Sequence, residues 1–305
     1  MAALCCCLKE RFYHADAPRL HRFLPAAGSG CGGGSELPSP ARTEASAVKK
    51  WLATAWLAGS ATVTESPVFL LDYLLRALRV AVLLALWRVV LGQGAESPLG
   101  LGAVLCYALL AEVLADQLYI RTSLADAFWQ GTIVQNFLRP MPIVSQFAAE
   151  MLGGWIVNAL FFSLPLLLAA PLLGVDPRPA SGLAFALFVP SLALAVVVGL
   201  AFDFIAGALV LALEQPPWLV FWVRQATTVV LSGAVVPLAL LPWGLGAALE
   251  WLPFASLAWA PLAIYTGAGA AERLLALQLF WACALWPLVA WLWAANREKI
   301  VAYGG

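Results

Sequence analysis

Three carboxylates stand where carboxylates are costly. Glu112 and Asp116 lie four residues apart in the apolar stretch 100–120, and Asp203 lies inside 183–212. A spacing of four puts the first two on one helix face. An acid among apolar neighbours either handles a transported ion or proton, or is neutralised by a nearby cation. Both readings are open: a proton relay or cation site formed by Glu112, Asp116 and Asp203, or no functional site, with Asp116 near the cytoplasmic end of its stretch and a single acid paired with an arginine. In the second reading Arg76 and Arg79 extend to the near interface, and one acid pairs with Arg88. Arg88 with Glu112 is the least favoured combination, because Arg88 lies near the end of its stretch and Glu112 mid-stretch. Other chemistries lack their residues. His14 and His21 are isolated and the six cysteines contain no CxxC pair, against a zinc site or a disulfide framework. There is no HExxH, and no histidine in the apolar stretches for a Ser/His pair. No GxxxxGK[ST] loop is present, and GSGCGGGS at 28–35 lacks the lysine, so any ATP hydrolysis belongs to another chain.

The elements that would hold these acids are set by composition. Hydrophobic residues make up 63% of the 305 and charged residues 11%, with a mean hydropathy of +0.87. A soluble domain carries about 25% charge, so this surface is built for lipid. The net charge of zero argues against a nucleic-acid partner. A helix needs about 20 apolar residues to cross the hydrocarbon, and its backbone bonds must close internally. The sequence therefore predicts an all-α membrane protein with six spans, at about 69–91, 100–120, 151–173, 183–212, 225–242 and 273–294. Segment 243–270 is apolar but cut by Pro253 and Pro261, which predicts half-helices or a re-entrant hairpin between spans five and six.

Residues 1–47 read differently. They are rich in Gly, Pro and Ser with scattered charge, which predicts a disordered extension or a mis-assigned start. A transit peptide is disfavoured by Glu10, Asp16, Glu36 and Glu44, and palmitoylation of Cys5–Cys7 is a further reading. Lys49 and Lys50 then lead a stretch, 48–60, whose Trp51, Leu52, Trp56 and Leu57 suit a short interfacial helix. Lys49, Lys50, Arg121, Arg139, Arg224, Arg297 and Lys299 fall on one side of the six spans, and Arg178 and Arg273 on the other. The bias predicts a multi-pass cell-membrane (inner or plasma) protein with both termini cytoplasmic. Trp87, Trp218, Trp222, Trp243, Trp251, Trp291 and Trp293 lie near predicted span ends, as aromatic belts do.

The longest inner loop, 121–150, reads RTSLADAFWQGTIVQNFLRPMPIVSQFAAE. Leu124, Ala125, Phe128 and Trp129 predict one face of a short amphipathic helix, Gly131 a break, and Pro140 and Pro142 a stop before the next helix. Such an element either docks a partner or lies on head groups. The order "Gly131, apolar strip, Leu138-Arg139-Pro140" between spans two and three resembles the inner loop of ABC-2 type permeases. More narrowly, it resembles the six-span ABC-2 family formerly catalogued as a domain of unknown function. LSGAVVPLALLPWGLGAALEWLPFASLAWAPLAIYTG at 231–267 resembles that family's "LSG…PL…P…LPF…P…G" run, and the tail REKIVAYGG its Gly-Gly ending. The resemblance covers about 48–305. One departure is LALEQPPW, which keeps Glu214 and Trp218 but sets Pro216 and Pro217 between them.

The resemblance implies a permease subunit of an ATP-driven exporter of a hydrophobic or amphipathic solute. It would pair with a second copy or paralogue and seat on a separate ABC ATPase, which alone would carry ATP and Mg; this chain would need no cofactor. Phe128, Gly131, Leu138, Arg139 and Pro140 would couple to the ATPase, and Pro237, Pro253 and Phe254 would belong to the outer re-entrant region. The rivals are an ion-coupled secondary transporter using the three acids, for which inspection finds no inverted repeat, and a non-transporting membrane assembly protein.

Overall fold

A computed structural model describes residues 50–57, 69–92, 99–139, 141–296 and 299. The expectations for 1–47, for Pro140 and for the 300–305 tail lie outside these residues, as do parts of 48–60. Among the described residues there is no strand. Residues 50–57 are helical, followed by α1 (Phe69–Gly92), α2 (Gly100–Val113) and the single turn α3 (Ala115–Leu118). Two short helices, α4 (Leu124–Trp129) and α5 (Ile133–Phe137), precede the long α6 (Ile143–Ala169). Then come α7 (Gly182–Leu213), α8 (Pro217–Leu231), α9 (Leu245–Glu250), α10 (Trp259–Thr266) and α11 (Ala271–Ala295).

Helices α6, α7 and α11 are long and apolar enough to cross a membrane. The chain is an all-helical, membrane-embedded protein. Helix α1 has 24 residues but carries Asp72, Arg76, Arg79 and Arg88, and α2 and α8 run for 14 and 15 residues. Ends follow local chemistry. The Ser181 hydroxyl accepts the Ala184 N–H at 3.0 Å and starts α7. Pro217 opens α8 at a position where its missing N–H costs nothing.

The stretch expected as one helix at 225–242 is divided. Helix α8 starts earlier, at Pro217, and ends at Leu231. Gly233 follows with φ +77°, a left-handed conformation that suits glycine, and Pro237 leads a 3-10 turn at Leu238–Leu240. Segment 243–270 is broken at Pro253 as expected, into α9, a 3-10 turn at Pro253–Ser256 and α10, whereas Pro261, expected as a second break, lies in the first turn of α10 and does not interrupt it. Of these pieces α10 is core, while α9 is largely exposed, with only Gly246 buried in it. Residues 259–265 of α10 are buried throughout, between α7, α11 and α2. Gly246 lies against the Leu238 carbonyl so closely that a Cβ there would collide with backbone.

One polar knot ties this core. Gln278 on α11 is fully buried and donates to the carbonyls of Ser191 (3.1 Å) and Ser256 (2.8 Å) while accepting the Ser191 hydroxyl (2.8 Å). It links α7, α11 and the Pro253–Ser256 turn with its amide satisfied, as a buried polar group requires.

At the C-terminal end of α7, Glu214 takes the left-handed conformation (φ 53°) that usually calls for glycine. Lys299 holds it there, donating to the carbonyls of Leu211 (3.3 Å) and Ala212 (3.2 Å) and to Glu214 Oε1 (2.8 Å). A cation on the last carbonyls also complements the helix dipole. The hydrogen bond and charge of Lys299 hold the Glu214 carboxyl below its usual value of 4.5. The contact therefore contributes fully above that usual value and is lost as pH falls through the lowered one. Lys299→Gln is expected to return the Glu214 titration midpoint upward, read by carbon-detected NMR of the carboxyl; an unmoved midpoint would show that the contact does not form.

Candidate functional site

Gly199, Asp203 and Gly207 recur every four residues and so form one stripe along α7. The chain leaving α3 crosses this stripe. A Cβ at Gly199 would meet Ile120 Cδ1 at 2.6 Å, and one at Gly207 would meet Leu124 Cδ2 at 3.1 Å. The two glycines thus let residues 120–124 lie close on the helix, with Asp203 between them. Asp203 Oδ2 accepts the Thr122 backbone N–H at 3.0 Å and the Thr122 hydroxyl at 2.5 Å. The same hydroxyl oxygen accepts the Leu124 N–H at 3.3 Å, turning the chain into α4.

The other carboxylate oxygen faces α8. Arg224 Nη1 lies 3.0 Å from Asp203 Oδ1, and Arg224 Nη2 donates to the Ile120 carbonyl at 2.9 Å. Both side chains are buried, 8% and 14% exposed for Asp203 and Arg224. A buried ion pair persists only when its remaining donors and acceptors are met, and here the carboxylate has three contacts from two elements. Beside it Arg121 stacks over Phe221 at 4.1 Å and pairs with Asp126 at 3.3 Å. These residues line a small cleft opening between the loop, α7 and α8.

The loop is braced from within as well. Glu150 on α6 takes Arg139 at 3.0 Å and the Ser123 hydroxyl at 3.4 Å, joining the loop's two ends. Gln146 donates to the carbonyls of Asn136 (2.8 Å) and Met141 (2.6 Å). Gly131 turns α4 toward α5 with φ +72°. Phe128 is fully buried, its ring 5.5 Å from that of Trp293 on α11. Leu138, by contrast, is 82% exposed, with Arg139 beside it. The helical segment 50–57 docks nearby, where Ala55 is buried against Gly153 and a Cβ at that glycine would strike the Ala55 carbonyl.

Glu112 and Asp116 are held elsewhere. Glu112 pairs with Arg79 at 2.5 Å, and Asp116 with Arg76 at 3.5 Å. Arg88 takes none of the three acids; it donates to the Leu173 carbonyl. Each expected relay acid thus has its own arginine. Among the described residues no group of three or more His, Cys, Asp or Glu could hold a metal ion. Pro237 is buried at the head of its turn, and Phe254 stacks on Phe202 of α7 at 5.0 Å, which seats the Pro253–Ser256 turn on the long helix.

Arg224, expected in a loop, lies within α8, and Thr122, Glu150 and the two glycines belong to no motif that marks them in the sequence. Gly199 and Gly207, each four residues from an acid in an apolar helix, were the available signal. Geometrically the site is a mechanical joint in which one carboxylate fastens the loop to two helices. Neither a protein-family model, nor a curated protein, nor a solved structure matches the chain.

Proposed function

We propose that the chain is the permease subunit of an ABC-2 type exporter, crossing the membrane six times with both termini cytoplasmic and with 243–270 as a re-entrant outer segment. It moves a hydrophobic or amphipathic solute as a dimer with a second copy or paralogue, driven by a separate ATPase that binds ATP and Mg. The observation that supports this best is the Asp203 joint. A loop that carries an exposed Leu138 and Arg139 is fastened through one buried carboxylate to α7 and α8. A push on the loop therefore reaches two helices without passing through a flexible linker. The pairing of Glu112, Asp116 and Asp203 with different arginines argues against the ion-coupled alternative, because a relay needs acids free to change protonation.

The test is capture of a phosphate-loop ATPase encoded beside this chain. Tagged protein in mild detergent is expected to retain it, and Arg139→Glu is expected to weaken the complex about tenfold or more, equivalent to ~1.4 kcal/mol. If no neighbouring ATPase is retained, and Arg139→Glu changes no ATPase rate in reconstituted vesicles, the exporter reading is wrong.

A further inference from the structure

Two helices lose their regular register at the same place. In α6 the turn Ala159–Ser163 is a π-helix. Its cause is in the sequence: Pro165 has no N–H and its ring crowds the carbonyl four residues back, that of Phe161, so the preceding turn widens. Between α2 and α3, Leu114 sits at φ −100°, ψ 14°, outside helical geometry. The Gln117 N–H bonds to the Leu114 carbonyl, three residues back instead of four. That shift leaves the Val113 carbonyl to another donor, and the Ser163 hydroxyl of the π turn supplies it at 2.7 Å.

Helix α1 runs unbroken past both irregularities. Arg79 grips Glu112 on one side of the Leu114 break, and Arg76 reaches Asp116 on the other. Tyr73 packs edge-on to Phe162 of the π turn at 5.5 Å, and Arg76 lies 5.4 Å from the same ring. The residues between the two irregularities, 115–158, are α3, the loop with α4 and α5, and the first 16 residues of α6, Ile143–Asn158.

We infer that Leu114 and the Ala159–Ser163 turn, bridged by Ser163 to Val113, form a pivot about which the module 115–158 tilts. The Asp203 joint makes α8 and the adjacent end of α7 follow the module, and α7 bends at Pro190, which lacks a backbone donor. Arg79–Glu112 is the fixed side of the pivot. Arg76–Asp116, longer and one-third exposed, is the contact that opens and closes. The pivot is a property of the helices alone and stands whether or not the module seats on an ATPase.

Pulsed electron-spin distance measurements on the full chain in nanodiscs test it, with the six native cysteines replaced by alanine. Labels at the exposed Leu138→Cys and Leu172→Cys straddle the pivot, while Leu138→Cys with Trp218→Cys stays within the moving part. The straddling pair is expected to give a distribution about twofold broader than the internal pair. Deleting Phe161, which removes the extra residue of the π turn, is expected to narrow the straddling distribution to the internal width. Equal widths in the unaltered helices, or no narrowing on deletion, would overturn the pivot. Ser163→Ala keeps the π turn but removes the bridge, and serves if the deletion does not fold. It is expected to shift the straddling distribution and leave the internal one in place; an unchanged straddling distribution overturns the pivot as well.

Discussion

Asp203→Ala is expected to lower the unfolding free energy by about 3–5 kcal/mol, the cost of leaving a buried charge without its partner. Arg224 would keep its contact to the Ile120 carbonyl but lose its counter-charge, and the Thr122 N–H would lose its acceptor. An orphaned buried N–H alone costs about 1–3 kcal/mol. The measurement is reversible unfolding in mixed detergent micelles, followed by circular dichroism. The joint double substitution Asp203→Leu with Arg224→Met is the decisive companion. Because replacing a whole buried pair by apolar side chains is often neutral, it should recover the part of the loss due to the uncompensated charge and leave the cost of the orphaned Thr122 N–H, about 1–3 kcal/mol. It should not recover loop rigidity, since Thr122 stays unfastened. A single-substitution cost below about 1 kcal/mol would place the pair among solvent-screened ion pairs and remove the joint.

Gly153→Val is expected to free the 50–57 helix while leaving the rest of the fold in place. The Ala55 carbonyl occupies the space a Cβ would need, and a backbone atom is not moved as a flexible side-chain tip is. Inserting carbon into so tight a contact costs about 1–3 kcal/mol. Only a short segment depends on this contact, so the cost is relieved by undocking. Hydrogen–deuterium exchange of the 50–57 amides should accelerate, and exchange in α7 and α11 should not. Unchanged protection of 50–57 would mean that the segment is held by lipid and not by Gly153.

Much of the architecture was legible from apolar run length. The helices expected at 69–91, 183–212 and 273–294 agree to within two residues with α1, α7 and α11, of which α7 and α11 are long and apolar enough to cross a membrane. Long apolar stretches fix helix ends because the breaks between them are strong. The α8 region failed where two signals competed. Its apolar content runs on to Leu241, but Gly233 and Pro237 end the helix at Leu231. The apolar face expected on the loop helix, Leu124, Ala125, Phe128 and Trp129, is split: Leu124 and Phe128 are buried with Ala127, while Trp129 is exposed.

The site was less legible. The cost of three buried acids shows in the sequence, but which arginine answers each depends on contacts between separate helices, such as Arg79 with Glu112, 33 residues apart, and Arg224 with Asp203. Such register is set by tertiary packing and leaves no local trace. Of the expected coupling residues, Phe128 is a core residue against Trp293, whereas Leu138 and Arg139 face outward. A hydrophobic residue in an amphipathic loop helix looks the same in sequence whether it faces the core or a partner.

The Asp203–Arg224 pair also bears on how the chain enters the bilayer during synthesis. On the six-span reading, α8 offers the translocon only 15 residues and an arginine, and a central arginine disfavours insertion by about 2.5–3.5 kcal/mol. Its predecessor α7 has 32 residues and very high hydropathy, enough to carry Asp203 with it. Only Glu214, Gln215 and Pro216 separate the two helices, so on that reading they would leave the channel as a hairpin with Asp203 facing Arg224. On the six-span reading, the carboxylate that fastens the finished loop would also serve as an insertion signal for the helix that follows it.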